Sequence, residues 1–410
     1  MAITEVPLYL HLDFPRCDLQ MSRFDALPVS PFTRLNKLLD GIQPGKSPIN
    51  MHVGEPQHAV PSFVGDILAR HTSEFGRYPP IIGPESLRQS IATWLNRRFD
   101  LQSAIQPASQ ILPLVGTREG LFTAPFVVVP DTKRGKKPAV LIPNPFYQCY
   151  AAAALSAGAE PVYVNATADT GFLPDFASLP ADLLARTSII YMCSPSNPEG
   201  AAADAGYWQK LFALADEHDI TIFADECYSE IYCDKPPCGA LSVRQKSSHE
   251  FKNLLVFHSL SKRSSLAGLR SGFVAGDASI IARFREFRNV AGPQLPLPIA
   301  AVSEAAWSDE THVEESRNLY RQKFEAARTR LSNRFGFRIP EGGFFLWLDV
   351  EDGTRAALRL WREAGVKVLP GEFLAKESSA GNPVKRFIRV ALVNDFAMTS
   401  DALDRLTQTL

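Results

Sequence analysis

Between positions 257 and 273 the chain reads FHSLSKRSSLAGLRSGF. Lys262 stands among Ser259, Ser261, Ser264 and Ser265, and Arg270 follows across a glycine. A primary amine becomes a nucleophile toward carbonyls once burial and neighbouring cations lower its pKa. Hydroxyls and a guanidinium on the same short stretch suit an anion with several oxygens, a phosphate above all. Arg270 also has a plain reading as half of a surface ion pair. Its flanks, Leu269 and SGFVAG, favour a buried head that needs an anion.

Residues of this kind must be held by something. Short apolar runs at 110–115, 138–143, 160–164, 188–193, 220–224, 254–257 and 271–275 read as strands. Helical spacing falls between them at 83–99, 117–129, 147–157, 204–218 and 277–289, with an earlier amphipathic helix at 31–44. Continuous apolar strands alternating with helices indicate a mostly parallel sheet covered on both faces. In such sheets ligand groups gather beyond the carboxyl ends of the strands. There the sequence places Gly116-Thr117-Arg118, Asn144-Pro145-Phe146-Tyr147, Ser194 to Gly200, Asp225 to Tyr228, and Ser259 to Lys262. Gly116-Thr117 would let backbone amides approach an anion, or be only a tight turn. Asp225 ends an apolar strand, so its carboxylate is expected to be buried and therefore paired, with backbone amides or with a cationic ring nitrogen. Tyr147 offers a stacking face, or fills core. Phosphate, ring-nitrogen partner, stacking ring and Schiff-base lysine together describe a pyridoxal 5′-phosphate (PLP) site.

The bulk properties agree. Of 410 residues, 45% are hydrophobic and 21% charged, as in a globular protein. A net charge of −1 argues against nucleic acid or an anionic membrane as the main partner. No run approaches a membrane span, and the start, MAITEVPLYLHLDFPRCDLQ, has neither a basic opening nor a continuous apolar core. The first twenty residues read as an extension or an early start. Cys17, Cys149, Cys193, Cys227, Cys233 and Cys238 show no metal spacing and read as reduced thiols of a cytoplasmic protein. GIQPGKSP (41–48) is one residue short of a phosphate loop. NAT (165–167) is a glycosylation sequon without meaning absent secretion. His258 reads as a strand-end core residue.

From about residue 30 to 405 the chain resembles the class I/II aminotransferases of PLP fold type I. The stretches that carry this are HVGEP (52–56), RYPPIIGPESLR (77–88), GTREGLF (116–122), NPFY (144–147), SPSNPEG (194–200), DECYSEIY (225–232), SLSKRSSLAGLRSGF (259–273), PEGGFFLWL (340–348) and FIRVAL (387–392). SNPEG departs from the commoner N-P-T-G but keeps the asparagine. The resemblance implies a large domain with a mostly parallel seven-stranded sheet flanked by helices (61–300), a smaller α+β domain (301–410) and an N-terminal arm contributing to the latter (1–60). A charged helix over 302–334 opens the smaller domain, which the Pro-rich AGPQLPLPIA would join to the larger one. By resemblance, Lys262 would carry PLP as a Schiff base and shuttle the proton, and Asp225 would pair with the ring nitrogen. Asn197 and Tyr228 would bond the ring's 3-oxygen, and Tyr147 would stack on the ring. Gly116, Thr117, Arg118, Ser259 and Arg270 would hold the phosphate. Tyr78 would reach the phosphate of a neighbouring subunit in a homodimer. Arg389 would clamp the substrate α-carboxylate, with Gly54 lending a backbone contact and Asn197 a side-chain one. No metal is expected.

Within the family the lysine segment, DECYSEIY and NPFYQCY look most like bacterial N-succinyldiaminopimelate aminotransferases of lysine biosynthesis. The expected reaction moves an amino group from N-succinyl-LL-2,6-diaminopimelate to 2-oxoglutarate. Aspartate, alanine or aromatic donors, and a PLP-dependent β-elimination or C–S lyase, are the alternatives. A succinylated arm needs a second polar or cationic contact, for which Arg34, Arg263 and FREFRNVAGPQ (284–294) are the candidates.

Overall fold

The computed structural model describes residues 23–246, 251–378 and 381–410, so the readings on the first twenty residues and on Cys17 lie outside it. After a two-residue strand β1 (Ile49–Asn50), seven apolar segments build the large sheet. They are β2 (Ile111–Leu114), β3 (Ala139–Asn144), β4 (Glu160–Asn165), β5 (Thr187–Cys193), β6 (Thr221–Asp225), β7 (Leu254–Ser259) and β8 (Gly272–Gly276). Their order is β2-β8-β7-β6-β5-β3-β4. Pairs from β4 across to β7 are parallel, whereas β8 runs antiparallel to both its neighbours. The stretch between β7 and β8 is thus a return loop. It keeps Lys262 at the edge where β7 ends instead of carrying it over a face.

Strand alternation decides which side chains meet. Along β6, Ile222 and Ala224 enter one core with Trp94, Trp208 and Trp307, from the helices Glu85–Arg98, Ala205–His218 and Leu297–Ser308. Phe223 faces the other way, into a core with Tyr150 and Tyr191 under the helices Thr117–Thr123, Gln148–Ser156 and Ala278–Ala291. The same period puts Asp225 on the Phe223 face. In β7 it puts Ser259 on the face of Leu255 and Phe257, and His258 among Trp94, Phe99 and Phe273. His258 is 2% exposed and 3.2 Å from the buried Glu226, so it is a core residue.

A second core lies around β9 (Phe345–Asp349), β10 (Val366–Lys367), β11 (Leu369–Pro370) and β12 (Phe387–Ala391), with β11-β12-β9 an antiparallel sheet. β1 joins it by pairing with β10, which draws the segment carrying Gly54 to the same place. The expected helix over 302–334 is two helices, Leu297–Ser308 and Thr311–Leu331. Asp309 breaks it: its backbone is extended (φ −101°, ψ 129°) and its carboxylate takes the His312 N–H at 3.0 Å. This is the usual competition of a short acidic side chain with the helix ladder. The first piece packs on Glu85–Arg98 and the second on the helix Phe396–Thr409.

Asp277, just after β8, accepts from the Ser279 and Ile280 amides at 2.8 and 3.3 Å, and from the Asn253 amide ahead of β7 at 2.8 Å. It thereby caps one helix and fixes the root of the strand that leads to Lys262. Asp277→Ala is expected to lower the unfolding free energy by about 1–3 kcal/mol, read from urea denaturation.

Candidate active site

A cavity of about 440 Å³ opens beyond the carboxyl ends of the central strands, between the two cores. Lys262 is on the short helix Leu260–Arg263, which Ser259 caps by accepting the Ser261 amide at 3.1 Å. The Lys262 Nζ donates to the Gly54 carbonyl and lies 5.5 Å from the Phe344 ring centre. Burial, with Arg389 and Arg270 acting the same way, lowers its pKa to about 8. Cys227 and Glu55 oppose that shift without cancelling it.

Asp225 sits 6% exposed at the end of β6. Its Oδ2 accepts from the Tyr150 hydroxyl at 2.6 Å and its Oδ1 from the Cys227 amide at 3.3 Å. Tyr150 stacks on Tyr191 at 4.3 Å, and Tyr191 donates to the Leu121 carbonyl at 2.6 Å. The carboxylate is therefore oriented from behind by a wholly buried pair of tyrosines. Tyr147 stands edge-on to Tyr150, its hydroxyl taking a hydrogen bond from Arg118 Nε, and burial pushes its pKa up to about 12.

Gly116 has a left-handed backbone (φ 76°), and a Cβ there would come within 2.3 Å of the Arg270 guanidinium. Glycine is thus required for Arg270 to cross the Gly116-Thr117 turn. With Ser259, Ser261 and Thr117 on the same wall, this cradle has the donor set of a phosphate site. Arg270 corrects one expectation, because it is exposed and not buried. Its own left-handed backbone (φ 57°) breaks the run into β8 and carries the side chain to the cavity mouth.

On the opposite wall Arg389, from β12, is 4% exposed. It donates from Nη1 to Asn197 Oδ1 at 2.9 Å and from Nη2 to the His52 carbonyl at 2.7 Å, above the Phe345 ring. Its Nε has no hydrogen-bond partner, and burial lowers its pKa to about 10. A buried guanidinium with an orphan N–H calls for an anion. Tyr228 lies under Phe344 and Phe345, its phenol pushed well above the usual value by burial. Gly54 has no room for a side chain, since a Cβ would fall 2.6 Å from Phe345 Cζ.

The structure brings to one cavity Gly54, Thr117, Arg118, Tyr147, Asn197, Asp225, Tyr228, Ser259, Lys262, Arg270 and Arg389, with Gly116 in its wall. Tyr78 is elsewhere, 96% exposed. The candidates for a second substrate contact are not in the cavity. Arg34 donates to the Glu372 carbonyl and covers Phe373, while Arg263 is buried against Ala306 and Glu310. In the 284–294 segment Arg288 is spent on Glu119. Tyr150 was missed by sequence reasoning. Its only signal was a Tyr-x-x-Tyr spacing that puts it one helical turn from Tyr147. These residues fit PLP: a phosphate cradle, a carboxylate for the ring nitrogen, a ring to stack on and an amine for the aldehyde.

Comparison with known proteins points the same way. The family model for aminotransferase class I and II matches residues 46–410. The crystal structure of an aminotransferase from Neisseria meningitidis is 39% identical, covers 94% of this chain and 99% of its own, and superposes with a TM-score of 0.90. The 4-dedimethylamino-4-oxo-anhydrotetracycline transaminase OxyQ of Streptomyces rimosus is 33% identical over 362 residues, 88% of this chain and 93% of that protein. An LL-diaminopimelate aminotransferase of Nitratidesulfovibrio vulgaris is 29% identical over 94% of this chain and 98% of its own length. The chain belongs to the class I and II aminotransferases, enzymes that use PLP to move amino groups between amino and keto acids.

Proposed function

We propose that Lys262 is the residue that carries PLP and moves the proton during transfer, and that the donor is an amino acid with an extended side chain. 2-Oxoglutarate is the acceptor. The observation that carries this reading is the convergence of Lys262 and Arg389 on one cavity, a buried amine with a lowered pKa and a guanidinium with a free N–H. Bound PLP supplies an electron sink for the charge left when the Cα proton is removed.

The chain's own groups do the rest. Arg389 grips the α-carboxylate and fixes which Cα bond points toward Lys262, and positioning of this kind can supply a large share of a barrier. Lys262 takes the proton from Cα and returns it elsewhere, general acid–base work worth about 10²–10⁴-fold. Its lowered pKa leaves about a tenth of the amine free at pH 7, against well under a thousandth for an ordinary lysine. Asp225, held by Tyr150, keeps a positive charge on the ring nitrogen, while Asn197 and Tyr228 bond the ring's oxygen. Ser259, Thr117, the Gly116–Arg118 backbone and Arg270 hold the phosphate.

Cavity and relatives favour LL-2,6-diaminopimelate as the kind of donor over its N-succinylated form. N-succinylation would turn the distal ammonium into an uncharged amide and add a further carboxylate, and Arg34, Arg263 and Arg288 are engaged elsewhere. Phe32, Phe172, Pro174 and Phe345 line the cavity and suit a methylene chain. They equally suit an aromatic ring, which keeps an aromatic donor as the second reading. A lyase would release keto acid and ammonia without any acceptor, so dependence on 2-oxoglutarate separates the two. We further propose a cytoplasmic homodimer in which Tyr78, exposed on its own chain, serves the neighbouring site. No helix among the described residues is long and apolar enough to cross a membrane.

Lys262→Ala is expected to bind PLP yet lose turnover by at least about 10²-fold, measured with a panel of donors and 2-oxoglutarate. In the apoprotein, acetylation of Lys262 followed by peptide mass spectrometry should titrate near pH 8 instead of the ordinary 10.5. Below that midpoint the amine is protonated and the rate falls about tenfold per pH unit. Tyr150→Phe, which removes one hydroxyl from a packed ring, should weaken PLP retention and shift the visible absorbance of the loaded enzyme, measured by dialysis and spectrophotometry.

A further inference from the structure

The charged side chains along the cavity are Arg118, Glu199, Asp225, Lys262, Arg270 and Arg389. The reaction described above uses all of them but Glu199. This residue occupies the place where the commoner family pattern has threonine, two positions after Asn197 on the loop that follows β5. It is 3% exposed, and its Oε1 has no hydrogen-bond partner. Buried carboxyl oxygens are nearly always paired, so an orphan in the wall of a substrate cavity is a place for a ligand group.

The carboxyl draws on Ser196, on the amide of Glu199 itself and on the charge of Arg338, yet among the described residues Oε1 has no hydrogen-bond partner. Arg338 spends Nη2 on the Glu199 carbonyl at 2.6 Å and lies 4.9 Å over the ring of Phe172, another cavity residue. Glu341 and Gly342 give their amides to the Gly200 carbonyl at 2.9 and 3.2 Å, and a Cβ on Gly200 would stand 2.3 Å from Pro340. The backbone of the loop is therefore pinned at Gly200 against the second core. Ser196 on the same loop hydrogen-bonds the carboxyl, and Cys193 at the end of β5 lies near it. Burial pushes the carboxyl up to about 7, so it is easily ionised by an arriving cation.

We propose that Glu199 is a specificity residue that receives an ammonium group at the far end of the donor's side chain. The inference rests on the extended-donor reading above and names its chemical class: α-amino acids with a terminal amine, such as ornithine, lysine and LL-2,6-diaminopimelate. The apolar wall of Phe32, Phe172 and Phe345 covers the methylenes, and the carboxylate neutralises the charge where water is excluded. A site that pairs a buried group with one substrate discriminates strongly against an analogue lacking that partner.

The test compares kcat/KM of the PLP-loaded enzyme for lysine and for norleucine, which differ by the terminal amine, with 2-oxoglutarate as acceptor. The wild type should prefer lysine by at least tenfold, and Glu199→Gln should reduce that ratio at least tenfold. The variant's PLP absorbance and Tm serve as controls for folding. Equal use of lysine and norleucine by the wild type would overturn the proposal without any variant. A lysine-to-norleucine ratio unchanged in folded Glu199→Gln would overturn it too, as would a preference for 2-aminoadipate. Turnover of aromatic donors alone would remove the extended-donor reading itself, a result distinguishable from the others because both lysine and norleucine then fail.

Discussion

The structure depends on concentrating buried positive charge at one place. Lys262, Arg389 and the exposed Arg270 line one cavity with several aromatic rings, and burial lowers the pKa of the first two. Unpaired, such an arrangement is expensive. On the proposed function it would become favourable through a phosphate at the Arg270 cradle and a carboxylate at Arg389. The fold supports this cost through two packed cores and a set of strand ends that cannot easily move. The same unfavourable crowding keeps the lysine amine partly deprotonated near neutral pH. Binding and reactivity thus have one electrostatic origin.

Two cores make the cavity possible. The large sheet delivers Asp225, Ser259 and the phosphate cradle from one side. β12 and the segment after β1 deliver Arg389 and Gly54 from the other. Contacts across the seam are direct: Arg389 to Asn197, and Lys262 to the Gly54 carbonyl. A substrate that displaces either bond would loosen one tie and make another, so occupancy and the relation between the cores are coupled.

Much of this was legible in the sequence, for a physical reason. A parallel strand buried on both faces leaves an uninterrupted apolar run, and the polar residue that ends it stands out. Asp225, Ser259 and Lys262 were read that way. What escaped depends on tertiary placement. Tyr150 sits in the alanine-rich helical run QCYAAAALS, and its value comes from a strand it never neighbours in sequence. The break at Asp309 hides inside a continuous helical pattern, because one carboxylate competing for one amide leaves the apolar spacing intact. Arg270 was expected to be buried since its flanks are apolar, but a left-handed backbone at that one residue reverses the direction of the side chain. The basic residues judged by type alone, Arg34 and Arg263, turned out to be structural donors to backbone carbonyls.

Lys262, and no other amine, is proposed to form the bond to the cofactor. Lys323 is the demanding comparison. It too is buried with a pKa lowered to about 8, yet it lies in the second core, bonded to His58 and the Leu392 carbonyl. Reduction of the PLP-loaded enzyme with borohydride, followed by peptide mapping, reads the site directly. A pyridoxyl label on the peptide containing Lys262 alone is the result expected. A label on Lys323 or any other lysine, or a loaded enzyme that reduction leaves unlabelled, would contradict it.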